Sequence, residues 1–229
     1  VFYLIFTLTG YQDFDLKNMI KSLLPITSVA DGFSSAYLVF YLFIPFLNIL
    51  IKGMNKKQHL MLIALCIGTY TILSTLLIPV VFNYVTWFSV IYIIGAYMRI
   101  YPEAWFSSRK IWGIAALISL LLSWGSVLAG ALIMTRFGIN LCYYFVADSN
   151  KPLALLTAIC AFMFFKNLNI GYSKVINTIA ASAYGVLLIH ANSDIMRQWL
   201  WKDTLRNVDF LNSNLLVIHA VCSVIGIYI

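Results

Sequence analysis

Residues 60–82 and 111–135 pass without a single charged side chain. At the helical rise, about 20 residues cross a hydrocarbon core ~30 Å thick, so each of these stretches is long enough to span a bilayer. Residues 34–51 form a third run of nearly that length. Runs at 85–98, 152–165 and 176–189 are shorter, and taken alone each reads equally well as a buried soluble helix. The whole chain decides between the two: mean hydropathy is +0.90, with 62% hydrophobic and only 10% charged residues, far from an ordinary soluble domain. Lipid offers backbone groups no partner outside their own segment, so every run is read as a helix. The alternating ten-residue strands of a membrane barrel are not seen.

Residues 1–9 and 215–229 read as parts of further apolar runs cut by the ends of the sequence. The expectation is therefore an all-α, polytopic transmembrane helix bundle of about eight helices. Two of these are truncated terminal ones, and residues 1–229 form a single integral-membrane domain that is a fragment of something longer. The opening has neither a charged n-region nor a small-residue cleavage site, so it does not read as a secretory signal peptide.

Loop charge sets an orientation. With the loop after residues 1–9 outside, the inner loops are 52–59, 99–110 and 166–174. They hold Lys52, Lys56, Lys57, Arg99, Arg109, Lys110, Lys166 and Lys174 against one acid, Glu103. The longer outer loops hold the other seven bases together with seven acids. Lys and Arg density in short loops marks the cytoplasmic side, which makes the formal charge of +7 a topology signal and gives no reason to expect a nucleic-acid partner. A lipid bilayer is the partner the composition demands, and the cell's inner (cytoplasmic) membrane is the expected one. Tyr84 and Trp87 at one boundary, and Tyr97, Tyr101, Trp105 and Trp112 at the other, fit aromatic belts at the headgroup level.

Cys66, Cys142, Cys160 and Cys222 show no paired spacing, which argues for free thiols and against a disulfide framework or zinc site. Glycine-rich phosphate loops, nucleophile elbows and metal-binding histidine pairs are lacking, and no metal is expected.

What remains is polar chemistry held within the membrane. At 100° per residue, Ser34, Tyr37, Tyr41, Asn48 and Lys52 fall on one face of the 34–52 helix, and such a stripe should turn toward other helices or a watery cavity. It serves either as interhelical glue or as the lining of a substrate path. Pro45 is expected to kink or loosen that helix and free a carbonyl. A second cluster surrounds His190, with Asn192, Asp194 and Arg197 following. Here a proton relay or substrate hydrogen bond stands beside a structural histidine at a helix end. His219 shares a face with Cys222, Ser223 and Gly226, a spacing that suggests close packing. His59, in a basic loop, reads as solvated.

Three segments carry a resemblance. Phe33-Ser-Ser-Ala-Tyr-Leu-Val-Phe-Tyr-Leu-Phe-Ile-Pro-Phe-Leu-Asn48 resembles the aromatic, Ser/Thr-Ala-Tyr, Leu-Tyr-Leu, Pro-Phe-Leu-Asn helix of the multi-pass acyltransferase 3 family, which includes polysaccharide O-acetyltransferases. Ile93-Ile-Gly-Ala-Tyr-Met-Arg99 is similar to that family's Ile-Gly-x-Tyr-x-Arg helix end. Residues 179–192, ending Leu-Ile-His190-Ala-Asn192, with Arg197 and Leu200-Trp-Lys-Asp203 beyond, resemble its C-terminal signature. In two respects the chain departs from the pattern. Gly32 stands where the family commonly places Trp, and the family's first helix, with a basic residue and the catalytic histidine, would precede Val1. The catalytic residue is therefore unknown here, and His190 does not inherit its role.

The resemblance implies acyl transfer, with acyl-CoA (acetyl-CoA) as the cytoplasmic donor and a hydroxyl of a cell-surface glycan or small-molecule acceptor on or across the membrane as recipient. Ser34, Tyr37, Tyr41, Asn48, His190 and Asn192 are the candidate substrate-binding residues, and Lys52 and Arg99 the candidates for holding the coenzyme. Different readings of the same features are a multi-pass transporter or lipid-linked sugar flippase, or an inactive fragment. The absence of a convincing internal repeat argues against the transporter.

Overall fold

A computed structural model describes residues 2–24, 32–76, 83–191 and 194–228, with the side chains of 188–191 excepted. The described residues are helical and include no strand. The α-helices are α1 Phe2–Leu8, α2 Leu16–Leu23, α3 Phe33–Lys52, α4 Lys56–Ile67, α5 Tyr84–Ile100, α6 Arg109–Phe137, α7 Pro152–Lys166, α8 Lys174–Ala191, α9 Asp194–Arg197 and α10 Leu216–Ile227. A π-helical stretch, Gly68–Leu73, and a last turn, Ser74–Leu76, extend α4. Another π-helical stretch, Gln198–Thr204, extends α9. Three helices, Phe33–Lys52, Lys56–Leu76 and Arg109–Phe137, are long and apolar enough to cross a membrane.

Each expected run is helical over its described residues, with 77–82 of the 60–82 run lying outside them, and the additions to the expected set are the short α2 and α9, which carry charges and lack the apolar length that marks a span. Most boundaries fall a residue or two outside the apolar runs because polar caps set the ends. Asn55 accepts from the Gln58 backbone while the Gln58 side chain accepts from the Asn55 backbone, so α4 starts four residues before its apolar run. Asn83 caps α5 and Ser108 caps α6, Pro152 stands in the first turn of α7, and Gly138, at φ +71°, closes α6 in the left-handed conformation. Helix α3 runs through Pro45 without a break.

Residues 23–169 form one compact unit. Its centre is α5, which packs against both α3 and α4. Trp87, Val90, Ile93 and Ile94 of α5 are buried together with Ile51, Ile63 and Leu155. A second cluster joins Phe106, Trp112, Cys160 and Met163 where α6 meets α7. Trp87 and Trp112, expected in aromatic belts, are core residues, 3% and 7% exposed. Trp105, 49% exposed, keeps the boundary role open to it.

The α6–α7 seam has an inverted side-chain order. Along α6 only Trp112, Ser119 and Gly130 are buried, while Leu117, Leu121, Leu128 and Leu132 face outward. Ser123 Oγ lies 3.2 Å from Thr157 Oγ1 across the seam. Where lipid tails are as apolar as leucine, helices associate through small side chains and a few hydroxyls, and large aliphatic groups turn to the solvent that suits them.

Residues 1–22 and 170–229 form the second unit. Within it, Phe6 of α1 packs on Trp199 at 5.6 Å, and the Tyr11 hydroxyl donates to Asp203. That accepting carboxylate, then burial, then its charge, holds the Tyr11 phenol above its ordinary pKa. His219 stacks on Phe210 at 3.8 Å and lies 3.5 Å from the Ser223 hydroxyl, which donates to Asn207 at 3.1 Å. His219 and Ser223 are thus engaged locally, whereas Cys222 and Gly226 of the same face are exposed, with nothing within 4 Å of a Cβ on Gly226, so the close packing expected of that face is confined to His219 and Ser223.

The loop after α6 folds back on it so closely that a Cβ on Gly130 would stand 2.4 Å from the Leu141 carbonyl oxygen and 2.7 Å from Cys142 Cα. Backbone cannot yield as a side-chain tip does. Gly130→Ala is expected to cost roughly 1–3 kcal/mol of stability in detergent micelles, as overpacking does. Gly125→Ala on the same helix, with nothing within 4 Å, is expected to leave thermal unfolding unchanged or slightly raised.

Candidate functional site

Side-chain hydrogen bonds between loops collect the polar residues of the 23–169 unit at its two ends. At one end, Lys56 Nζ pairs with Glu103 at 2.5 Å, the Tyr101 hydroxyl donates to the Met54 carbonyl at 3.5 Å, and Asn167 Nδ2 donates to the Phe106 carbonyl at 2.7 Å. These contacts bind the 53–55 turn, the 101–108 segment and the end of α7 into one surface. Lys52 closes α3, Arg99 lies in the last turn of α5, Arg109 and Lys110 open α6 and Lys166 ends α7, so that surface carries a cluster of cations. All but Glu103 among its charged side chains are basic. Lys52 and Arg99 are both exposed.

Beneath this surface lies a residue that the sequence reading placed in solvent. His59 is fully buried. Its ring stands edge-on to Tyr97 at 5.3 Å and Tyr101 at 5.9 Å. Nε2 is 2.9 Å from the Ile93 carbonyl. A carbonyl only accepts, so Nε2 donates to it, and Nδ1 is buried with no hydrogen-bond partner among the described residues. The reversal has a local cause. The Asn55–Gln58 capping box starts the helix early enough to make His59 its fourth residue, aimed into the bundle.

The opposite end holds a second buried polar group. The π-helical stretch alters the carbonyl ladder of α4, and Asn150, 3% exposed, donates from Nδ2 to the Tyr70 carbonyl at 2.8 Å and to the Ser74 hydroxyl at 3.4 Å. The Tyr144 hydroxyl donates to the Thr75 carbonyl. Beside them, the hydroxyls of Thr71 and Thr75 are buried with no partner among the described residues.

The stripe on α3 is divided. Asn48 Oδ1 accepts from the Tyr92 hydroxyl at 2.7 Å, which ties α3 to α5. Tyr37 sets its ring against Phe40 and Phe88. Tyr37 and Tyr41 nonetheless stay 45% and 62% exposed, Ser34 is half-buried, and Ser35, Ala36 and Phe40 occupy the packed face instead. Of the second expected cluster, Asn192 lies outside the described residues and His190 belongs to α8 with its side chain undescribed. Asp194 and Arg197 pair at 3.4 Å across one turn of α9. No group of three or more His, Cys, Asp or Glu that could hold a metal occurs among the described residues.

Apolar helices that face outward with their aliphatic side chains, polar groups gathered at two ends and cations concentrated at one of them define a polytopic membrane protein with an anion-attracting surface. A family model described as an acyltransferase domain matches residues 2–229, and the chain belongs to the acyltransferase 3 family of membrane acyltransferases. No curated protein and no solved structure matches it.

Two outcomes test this geometry. A double-mutant cycle of Asn48→Ala and Tyr92→Phe is expected to give a coupling near ~0.6 kcal/mol, the average for hydrogen bonds between membrane helices. A coupling indistinguishable from zero would detach Asn48 from Tyr92. Diethyl pyrocarbonate is expected to leave His59 unmodified in the folded chain, read by peptide mass spectrometry, whereas rapid modification would return His59 to solvent.

Proposed function

We propose that the chain forms the membrane core of an O-acyltransferase of the inner (cytoplasmic) membrane. It moves an acyl group, acetyl in the first instance, from acyl-coenzyme A to a hydroxyl of a cell-surface glycan or related acceptor. The observation that supports this most is the joined basic surface at one end of a unit that the acyltransferase family match covers throughout. Coenzyme A carries several phosphate charges. Lys52 and Arg99, exposed on neighbouring helix ends, are placed to attract them, with Arg99 able to form paired bonds to one phosphate. Lys56 is engaged by Glu103 and serves to hold the surface together.

In the reaction the acceptor oxygen bonds to the acyl carbonyl carbon, the thioester C–S bond breaks, and the coenzyme leaves as its thiol with the proton lost by the acceptor. That requires a base near the hydroxyl and donors near the developing oxyanion. No described residue is assigned as the base. His59 is sealed from substrate, and the acceptor side falls to Ser34, Tyr37, Tyr41 and Asn48 of α3 together with His190 and Asn192.

Transfer of radiolabelled acetyl from acetyl-CoA to the membrane glycan fraction, measured with the full-length protein, tests the reading. Lys52→Gln and Arg99→Gln are each expected to raise the KM for acetyl-CoA by roughly tenfold, the loss of one charge-assisted contact, with kcat little changed. Tyr41→Phe and Asn48→Ala are expected to lower turnover. Unchanged kinetics in all four variants would overturn the assignment, and label carried into vesicles with no acylated product would point to transport.

A further inference from the structure

Helix α2, Leu16–Leu23, belongs to no expected span. It has no buried residue. Leu16, Met19, Ile20 and Leu23 recur at spacings of three, four and seven and occupy an arc of about 100°. Leu16, Ile20 and Leu23 are 57%, 45% and 67% exposed. Lys17 and Lys21 sit together on one flank, and neither joins an ion pair among the described residues. A helix of 8 residues is far below the length that persists in water on propensity alone, so this one needs a medium or partner for its apolar face.

Its tether says which. After α1 the chain turns at Gly10, where φ is +72°, and runs back along the helix it has just left. Gln12 Nε2 donates to the Tyr3 carbonyl at 2.9 Å and to the Thr7 hydroxyl at 3.2 Å. The Tyr3 hydroxyl donates to the Asp15 carbonyl at 2.7 Å, and the Asp15 side chain caps α2 by accepting from the Lys17 backbone at 2.9 Å. The start of α2 is thereby tied to the Tyr3 side chain, alongside α1. An in-plane amphipathic helix buries its apolar face about 5–10 Å into the boundary between headgroups and acyl chains. A helix tied back alongside α1, with a pair of lysines on one flank of its apolar arc, has the form and the charge that suit such a boundary with anionic headgroups.

We propose that α2 is an in-plane surface helix of the bilayer, with Leu16, Met19, Ile20 and Leu23 among the acyl chains and Lys17 and Lys21 holding the phosphates of anionic lipid headgroups. The stem of each lysine covers the apolar edge while its ammonium reaches the phosphate plane. Two lysines near an anionic surface together favour that surface by roughly thirtyfold. This surface is independent of the acyl-transfer assignment.

The whole chain in nanodiscs gives the test. Amide exchange of residues 16–23 is expected to slow by up to roughly thirtyfold when phosphatidylglycerol replaces half of the phosphatidylcholine, and Lys17→Gln with Lys21→Gln is expected to abolish the slowing. Inorganic phosphate in phosphatidylcholine discs is expected to do nothing; equal slowing by it would make the lysines a free-anion site and overturn the lipid assignment. In a variant with its four cysteines replaced by alanine, a bimane probe at Ile20→Cys is expected to be quenched by acyl-chain nitroxides and one at Asn18→Cys not. An unquenched probe at position 20, meaning a face covered by protein, or exchange indifferent to phosphatidylglycerol would overturn the proposal. Should the cysteine-free variant fail to fold, exchange in the native chain decides alone.

Discussion

Every feature of this chain follows from the absence of water along its helices. Without water, each backbone amide in a span must be satisfied within the span, which forces helices. Without a hydrophobic drive between helices, what holds them is close approach and scattered hydrogen bonds. The α6–α7 seam shows both: Ser119 inside, Ser123 against Thr157, and a row of leucines outside. In water the same arrangement would expose so much aliphatic surface that it could not persist.

The same constraint governs irregular backbone. Where α4 leaves the α-helical ladder at Gly68–Leu73, the altered carbonyls fall under a loop whose Asn150 and Tyr144 supply donors to Tyr70 and Thr75. The loop can lie so close because Gly130 has no side chain. A glycine on α6 and a π-helical stretch of α4 are thus parts of one arrangement, through residues 138–151. Cations at the other end are gathered in the same way, by polar bonds that cross between loops, so bases scattered along the sequence are condensed into one surface.

Much of the fold was legible. Runs of uncharged residues located the helices, and capping residues such as Asn55, Asn83 and Ser108 account for the small offsets at their ends. Family membership was legible as well, because it rests on ordered motifs along the chain. The candidate site was less so. The stripe Ser34, Tyr37, Tyr41, Asn48 is real as a helical face, yet among the described residues only Asn48 makes an interhelical hydrogen bond, Tyr37 meets Phe88 by its ring alone, and Ser35, Ala36 and Phe40 take the packed side. His59 was misread because a basic neighbourhood in sequence, Lys56 and Lys57, says nothing about which way the fourth residue of a helix points.

By itself, the sequence determined the solvent, the helical class, the positions of the spans and the side on which cations accumulate, because these depend on composition and local periodicity. Only the tertiary structure decided which polar groups are paired. His59 under the basic surface, Asn150 on the π-helical stretch and Tyr3 holding the start of α2 each join residues far apart in the chain or on separate turns, and hydrogen bonds a few ångströms long are set by how whole helices come to rest against one another.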